Sequence, residues 1–294
     1  MVAQSYLSWI SEQDLFSAIS HVYEKYNRAL KAKNLKSFNR NVIDPFMLVF
    51  DVTLNDKDIE EWLFEESVRQ LQKTLNNAVG EFHQIILGSC EGWVDLETGD
   101  STGLDLKKED STVFAEIKNK FNTMNSRSEK IAFNQLEQIV SDYPNSTAYL
   151  VQIIKKPGES YDVFWEYTKS KKPLIKNTNP RIRKISGDKF YEKVTGKPDA
   201  LKELYSILPR AIQDFSKQSD VESELIEDQL VDEIKSQVDA QSLSNQDLIE
   251  YFFEVLYPSS SETAKLQQLM LQVNDEFEDE LQETDGDLDD NETD

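Results

Sequence analysis

Apolar residues recur at helical spacing near the start of the chain. Leu15, Ile19, Val22, Tyr23, Tyr26 and Leu30 share one stripe, and Ser11 with Asp14 forms a capping box ahead of them, which predicts an amphipathic helix over Ser11 to Ala32. NVIDPF (Asn41 to Phe46) is a turn into the apolar run Phe46 to Phe50, and its proline forbids a helix start before it. A second long helix is expected over Asn55 to Val79, with Trp62, Leu63, Val68, Leu71, Leu75 and Val79 inward, followed by an apolar segment at Ile85 to Leu87. The period then changes to two. Leu104 to Lys107 and Val113 to Lys118 alternate as two short strands around Glu109 and Asp110. Ile131 to Tyr143 is helical, and Ala148 to Ile154 and Tyr161 to Tyr167 are strands bracketing a Pro157–Gly158 turn. This order of strand, loop, helix and strand predicts an α/β fold, a mixed central sheet flanked by helices.

From Val221 the texture becomes acidic helix. Ser244 and Asp247 cap Leu248 to Tyr257, Pro258 breaks the pattern, and Thr263 to Phe277 resumes it. Phe252, Phe253, Val255, Leu256 and Tyr257 are too apolar to stay exposed, so this region should dock on the core, on a second subunit or on another protein. The last twenty residues hold twelve carboxylates and no base, a composition that predicts disorder. DGDLDDNETD lacks the sixth-position glycine and the closing glutamate of an EF-hand loop. The expected organisation is a main domain over 1–216, an acidic helical extension over 217–274 and an acidic tail over 275–294.

The formal charge of −23 changes meaning once it is located. From Asp220 onward there are 24 acidic residues against Lys235 and Lys265, so residues 1–219 hold 31 acidic and 30 basic residues and are close to neutral. Within that part, Lys171 to Arg210 carries eleven basic residues against four acidic ones, with Arg181, Arg183 and Lys184 its densest cluster. The single cysteine, Cys90, excludes an internal disulfide and a thiolate zinc site. No apolar run approaches membrane-spanning length and the N-terminus carries no signal core, so a cytoplasmic protein is expected. GSCEGWVDLETGDSTG is glycine-rich but has no P-loop lysine and no dinucleotide spacing.

Candidate chemistry lies on the strand pair. With a four-residue loop, Glu109 to Thr112, Asp105 falls opposite Glu116, and Lys118 shares their face; a three-residue loop would place Ala115 there instead. Two carboxylates and an ammonium suit phosphodiester hydrolysis: the carboxylates offer hard ligands to Mg²⁺, and the lysine can orient water or steady the phosphate. An E-x-K on a half-exposed strand is more commonly a solvated face. Asp95 is a reserve ligand and Glu66, on the second helix, a candidate auxiliary one. His83 and Gln84 read as hydrogen-bonded structure at an element boundary. Asn119, Lys120 and Asn122, leaving the strand, suit phosphate and base-edge contacts, and Arg181, Arg183 and Lys184 are candidate DNA contacts.

The pattern D-x10-E-x-K is the core of the PD-(D/E)xK nuclease superfamily. AEIKNKFNTMNS (Ala115 to Ser126), preceded by GWVDL and GLDL and followed by AYLVQII, resembles a subgroup of type II restriction endonucleases that cut GGNCC- or GGWCC-type sites. NVIDPF, GEFHQIILG (Gly80 to Gly88) and RIRKISGDKFYEKVTGKPDALKELY from Arg181 extend the likeness over about residues 30 to 213. The usual proline before the first aspartate is Leu104 here, a departure that many nucleases of this fold share. The resemblance implies Mg²⁺ held by Asp105 and Glu116, water positioned or activated by Lys118, double-stranded DNA as substrate and a two-fold homodimer. It also implies a companion DNA methyltransferase that acts on the same site rather than binding. The alternatives are a PD-(D/E)xK nuclease of repair or of a mobile element, and a non-catalytic interaction protein using its acidic C-terminal region.

Overall fold

The computed structural model describes residues 6–31, 38, 41–96, 100–158, 160–171, 174–218 and 251. Its helices are α1 (Glu12–Lys31), α2 (Pro45–Asn55), α3 (Ile59–Gly88), α4 (Ser126–Asp142), α5 (Gly187–Thr195) and α6 (Ala200–Gln218). Its strands are β1 (Trp93–Asp95), β2 (Leu106–Lys108), β3 (Val113–Lys120), β4 (Thr147–Ile154), β5 (Asp162–Phe164), β6 (Thr168–Lys171), β7 (Leu174–Lys176) and β8 (Ile182–Ser186). Six of these form one mixed sheet in the order β1-β2-β3-β4-β8-β5, and β6 pairs with β7 apart from it. The core strands β3, β4 and β8 run parallel, while β1, β2 and β5 are antiparallel additions at the two edges. The expected α/β sheet with flanking helices is the architecture found.

Contacts divide the chain into two compact units, Met1–Asn27 with Lys73–Ser223, and Arg28–Gln72 with Glu224–Asp294. The sheet lies in the first. On one of its faces Ala115, Ile117, Tyr149, Val151, Ile153 and Ile185 pack with Leu15 and Ile19 of α1, Phe82 and Ile86 of α3, Phe190 of α5 and Leu204 of α6. On the other, Phe114, Ala148, Leu150 and Ile182 pack with Phe133, Leu136 and Val140 of α4. Covering both faces explains why β4 reads as a nearly continuous apolar run instead of an alternating one. The close approach of α5 to β4 requires Gly187: a Cβ there would stand 2.4 Å from the Ile153 carbonyl oxygen. In the second unit Lys57 joins Asp51 at 3.2 Å and Glu65 at 2.5 Å, and Gln70 Nε2 donates to the Phe38 carbonyl at 3.3 Å.

Several element bounds differ from those expected. The apolar run after NVIDPF is helix α2: Asp44 caps it by accepting from Phe46 N at 2.9 Å and Met47 N at 3.3 Å, and Pro45 fills the first turn, where its missing N–H costs nothing. The next helix therefore starts at Ile59, and it runs to Gly88 through the segment Ile85 to Leu87. Burial of Phe82, Ile86 and Leu87 outweighs the ~1 kcal/mol cost of a mid-helix glycine at Gly80. Helix α4 starts at Ser126 because Asn125 and Ser128 form a reciprocal cap that the apolar period does not reveal. Of the strand expected over Tyr161 to Tyr167 only Asp162–Phe164 is strand, as β5, and β6 begins after its end at Thr168. Part of the basic stretch Lys171 to Arg210 is strand β8, whose Ile182 and Ile185 are buried. The helix expected over Leu248 to Tyr257 lies outside the described residues apart from Tyr251, which is helical, and the expected helix Thr263 to Phe277 and acidic tail lie wholly outside them.

His83 is structural. Its Nδ1 is 2.8 Å from the hydroxyl of Tyr191, and burial pushes its pKa down to about 4. A depressed folded pKa means the contribution to stability is complete above the unfolded value near 6.5 and is lost as pH falls through about 4. Wild type should therefore lose roughly 3 kcal/mol more than His83→Gln across that window in urea melts, from ~1.4 kcal/mol per pKa unit. Parallel stability profiles for the two proteins would contradict this placement.

Candidate active site

The site is built by the turn between β2 and β3. Lys108 ends one strand and Val113 begins the next, so the loop is Glu109 to Thr112, the longer of the two alternatives read from the sequence. Ser111 closes it at φ 56°, with Ser111 N donating to the Lys108 carbonyl at 2.8 Å, and Asp110 Oδ1 accepts from Thr112 N at 2.9 Å. The pairing Leu106 with Ala115 and Lys107 with Phe114, extended by one residue, sets Asp105 against Glu116. Asp105 does more than fill that position. Its Oδ2 accepts the Ile117 backbone N–H at 2.6 Å, and its own N–H donates to the Ala115 carbonyl at 3.1 Å. The carboxylate is thereby locked to the strand that carries the other two groups.

Glu116 is buried at 8% exposure, while the side chain of Lys118 remains one-third exposed. Lys118 Nζ lies 2.5 Å from Glu116 Oε1. Burial pushes the Asp105 carboxyl up to about 7; the charges of Glu116 and Asp95 act in the same direction, and the Ile117 N–H and Lys118 oppose them. Two carboxylates forced together with a part-open ammonium beside them form a site where added positive charge is favourable. Among the described residues no group of three or more His, Cys, Asp or Glu side chains is arranged to hold a metal. Two hard oxygen donors without histidine or thiolate fit Mg²⁺, which takes one or two carboxylates and completes its shell with water and phosphate.

The remaining candidates separate. Lys120 and Asn122 are exposed just past Lys118, and Asn119, between Lys118 and Lys120, is half-buried. Arg181, Arg183 and Lys184 lie at the start of one strand but turn to separate partners. Arg181 donates to the carbonyls of Tyr143, Pro144 and Ser146 at 3.3, 2.9 and 3.1 Å. Arg183 pairs with Asp162 at 2.6 Å. Lys184 pairs with Glu129 at 3.1 Å and lies 4.6 Å from the centroid of the Trp165 ring. Glu66 is buried in the second unit and accepts from Arg69 and from Gln70 Nε2 at 3.0 Å. Cys90 donates to the Ile86 carbonyl at 3.3 Å, and burial pushes its thiol up to about 12, so it is no nucleophile at neutral pH.

One residue beside the triad, Gln152, had gone unremarked in the sequence. It lies directly across from Lys118 on β4. A lone amide inside AYLVQII was the available signal for it, since a strand buried on both faces carries such a group only where it is bonded.

Comparison with known proteins covers most of the chain. The model of the Eco47II restriction endonuclease family matches residues 7–217. The type II restriction enzyme Sau96I of Staphylococcus aureus is 35% identical over 269 residues, 88% of this chain and 98% of that protein. The type II restriction enzyme Eco47II of Escherichia coli is 38% identical over 213 residues, 71% of this chain and 87% of that protein.

The raised pKa of Asp105 makes a prediction about stability in EDTA. A carboxyl raised on folding contributes stability that is fully present below its unfolded pKa near 3.8 and is lost as pH rises through about 7. Asp105→Asn keeps an acceptor for Ile117 N–H without the charge. The variant should melt higher than wild type at pH 8, by a few kcal/mol as an order of magnitude, with the gap closing toward pH 4. A variant less stable than wild type at pH 8 would contradict the assignment.

Proposed function

This chain belongs to the Eco47II restriction endonuclease family, and on that premise we propose that it is a PD-(D/E)xK enzyme hydrolysing both strands of a GGNCC-type DNA site with Mg²⁺. That it is a type II site-specific deoxyribonuclease follows from its relatives; the residues and the metal are our reading. The observation that carries it is the meeting of Asp105, Glu116 and Lys118 on adjoining strands, where burial and then the charge of Glu116 raise the Asp105 carboxyl to about 7.

In this reading Asp105 and Glu116 hold Mg²⁺. When bound, the ion supplies Lewis acidity toward a phosphate oxygen and water. Lys118 does the positioning. An ammonium has three donors and no acceptor, so with one donor on Glu116 it can direct the others at the attacking water and at the scissile phosphate. The Ile117 N–H holds Asp105 in a single orientation, so the donor set is assembled before substrate arrives. Asn119, Lys120 and Asn122 follow at the open end of the strand and would meet backbone and base edges. Arg181, Arg183 and Lys184 already hold protein partners and would meet phosphate with their remaining donors. Cutting both strands of a near-palindromic site calls for two such centres, which a two-fold homodimer supplies.

Supercoiled plasmid carrying GGNCC sites, incubated with the protein and Mg²⁺, should yield discrete fragments that EDTA abolishes. A smear would indicate a nonspecific nuclease, and intact plasmid would contradict hydrolysis altogether. Among lysine variants, Lys118→Ala should lose chemistry, whereas Lys120→Ala should weaken binding evenly across sequences and lower the salt slope by about one. Exchange of the two phenotypes would reassign the catalytic lysine.

A further inference from the structure

Gln152 interrupts the apolar run of β4 and is buried at 7% exposure. A buried amide must be bonded at both ends, and here each bond reaches a segment just outside the sheet. Its Nε2 donates at 3.1 Å to the carbonyl of Phe121, the first residue beyond β3. Its Oε1 accepts at 2.6 Å from the hydroxyl of Tyr161, the residue before β5. Tyr161 is fixed in turn: its N–H donates to Ser186 Oγ at 3.1 Å and its carbonyl accepts from Ser186 N at 2.9 Å. Strand register places Lys118, Gln152 and Ser186 side by side on β3, β4 and β8. A continuous row therefore runs from the candidate catalytic lysine to a tyrosine at the far edge of the sheet.

The row meets β3 where that strand is least supported. Past Ile117 the side chains become polar and more exposed, and beyond the last pair, Lys120 with Ile154, the backbone bond from Phe121 N to the Ile154 carbonyl at 3.0 Å is joined by the Gln152 amide. Strand ends held by so few bonds open readily, and a group carried there inherits that freedom.

We propose that Gln152, braced by Tyr161, is a positioning residue for Lys118: it fixes the exit of β3 at Phe121 and so the direction from which the ammonium meets water and phosphate. This rests on the hydrolytic reading given above. It adds two residues that neither touch substrate nor bind metal, and it accounts for an amide in a strand that packing alone would fill with a hydrocarbon.

The test is steady-state cleavage of a GGNCC duplex with Mg²⁺ by the full-length wild type, Gln152→Leu, Tyr161→Phe and the double variant, with circular dichroism melts to fix the folded fraction. Gln152→Leu should lower kcat about 10–100-fold and Tyr161→Phe by less, as for residues that orient a reacting group through hydrogen bonds. KM should move less than about threefold, because groups that touch DNA are unaltered. The double variant should be no slower than Gln152→Leu alone, since Tyr161 acts through that amide. Should Gln152→Leu fail to fold, Tyr161→Phe decides the matter alone. Wild-type kcat in the folded variants overturns the proposal, as does a raised KM at unchanged kcat, which would make the pair a DNA contact. Absence of cleavage by the wild type overturns this inference together with the functional reading; an active wild type with variants at parity overturns this inference alone.

Discussion

A hydrogen bond from the Ile117 backbone N–H to the Asp105 carboxylate ties the site together. It spans the two strands beyond their last regular pair and makes a side chain serve as the acceptor. The consequence is that the orientation of Asp105 depends on the register of β3, the same register that sets the positions of Glu116 and Lys118. One four-residue turn therefore determines the whole constellation. A single-residue slip would turn Ala115 and Ile117 outward and send both charged groups into the face packed against α1 and α3.

That dependence explains how the fold divides its labour. The parallel strands β3, β4 and β8 are covered on both faces and hold the register by burial, while the edge pair β1 and β2 supplies Asp105. The crowding of Asp105 against Glu116 is unfavourable to the folded chain by itself, since burial and a neighbouring negative charge both oppose ionisation. A stable core tolerates such a concentration of charge when its function needs it, and a cation relieves it. The same logic gives Lys118 its place beside Glu116: it offsets part of the charge and still presents an exposed end.

Much of the site was legible because it is local. A turn between two alternating segments has few registers, and of the two the sequence leaves open the four-residue loop is the one observed. The helical stripe of α1 was legible for the same reason. Less could be read where neighbours in space are distant in sequence. β8 carries Arg181 at its entrance and Arg183 and Lys184 within it, so it looks like basic coil until its partner β4 buries Ile182 and Ile185. The charges that suggested DNA contact are taken by Asp162, Glu129 and three carbonyls, none of which a linear pattern reveals. Gln152 acquires meaning only when β4 lies beside Lys118 and Tyr161 folds over it.

In the proposed reading Asp105, Glu116 and Lys118 act as one unit on a phosphodiester. Single-turnover cleavage of a GGNCC duplex by Asp105→Asn, Glu116→Gln, Lys118→Ala and the double carboxylate variant measures this directly. The account predicts that each single change lowers the rate on the order of 10³-fold or more and that the double variant falls little further, because groups acting together are lost together. A rate above about a tenth of wild type in Glu116→Gln, or losses that multiply independently in the double variant, would contradict it.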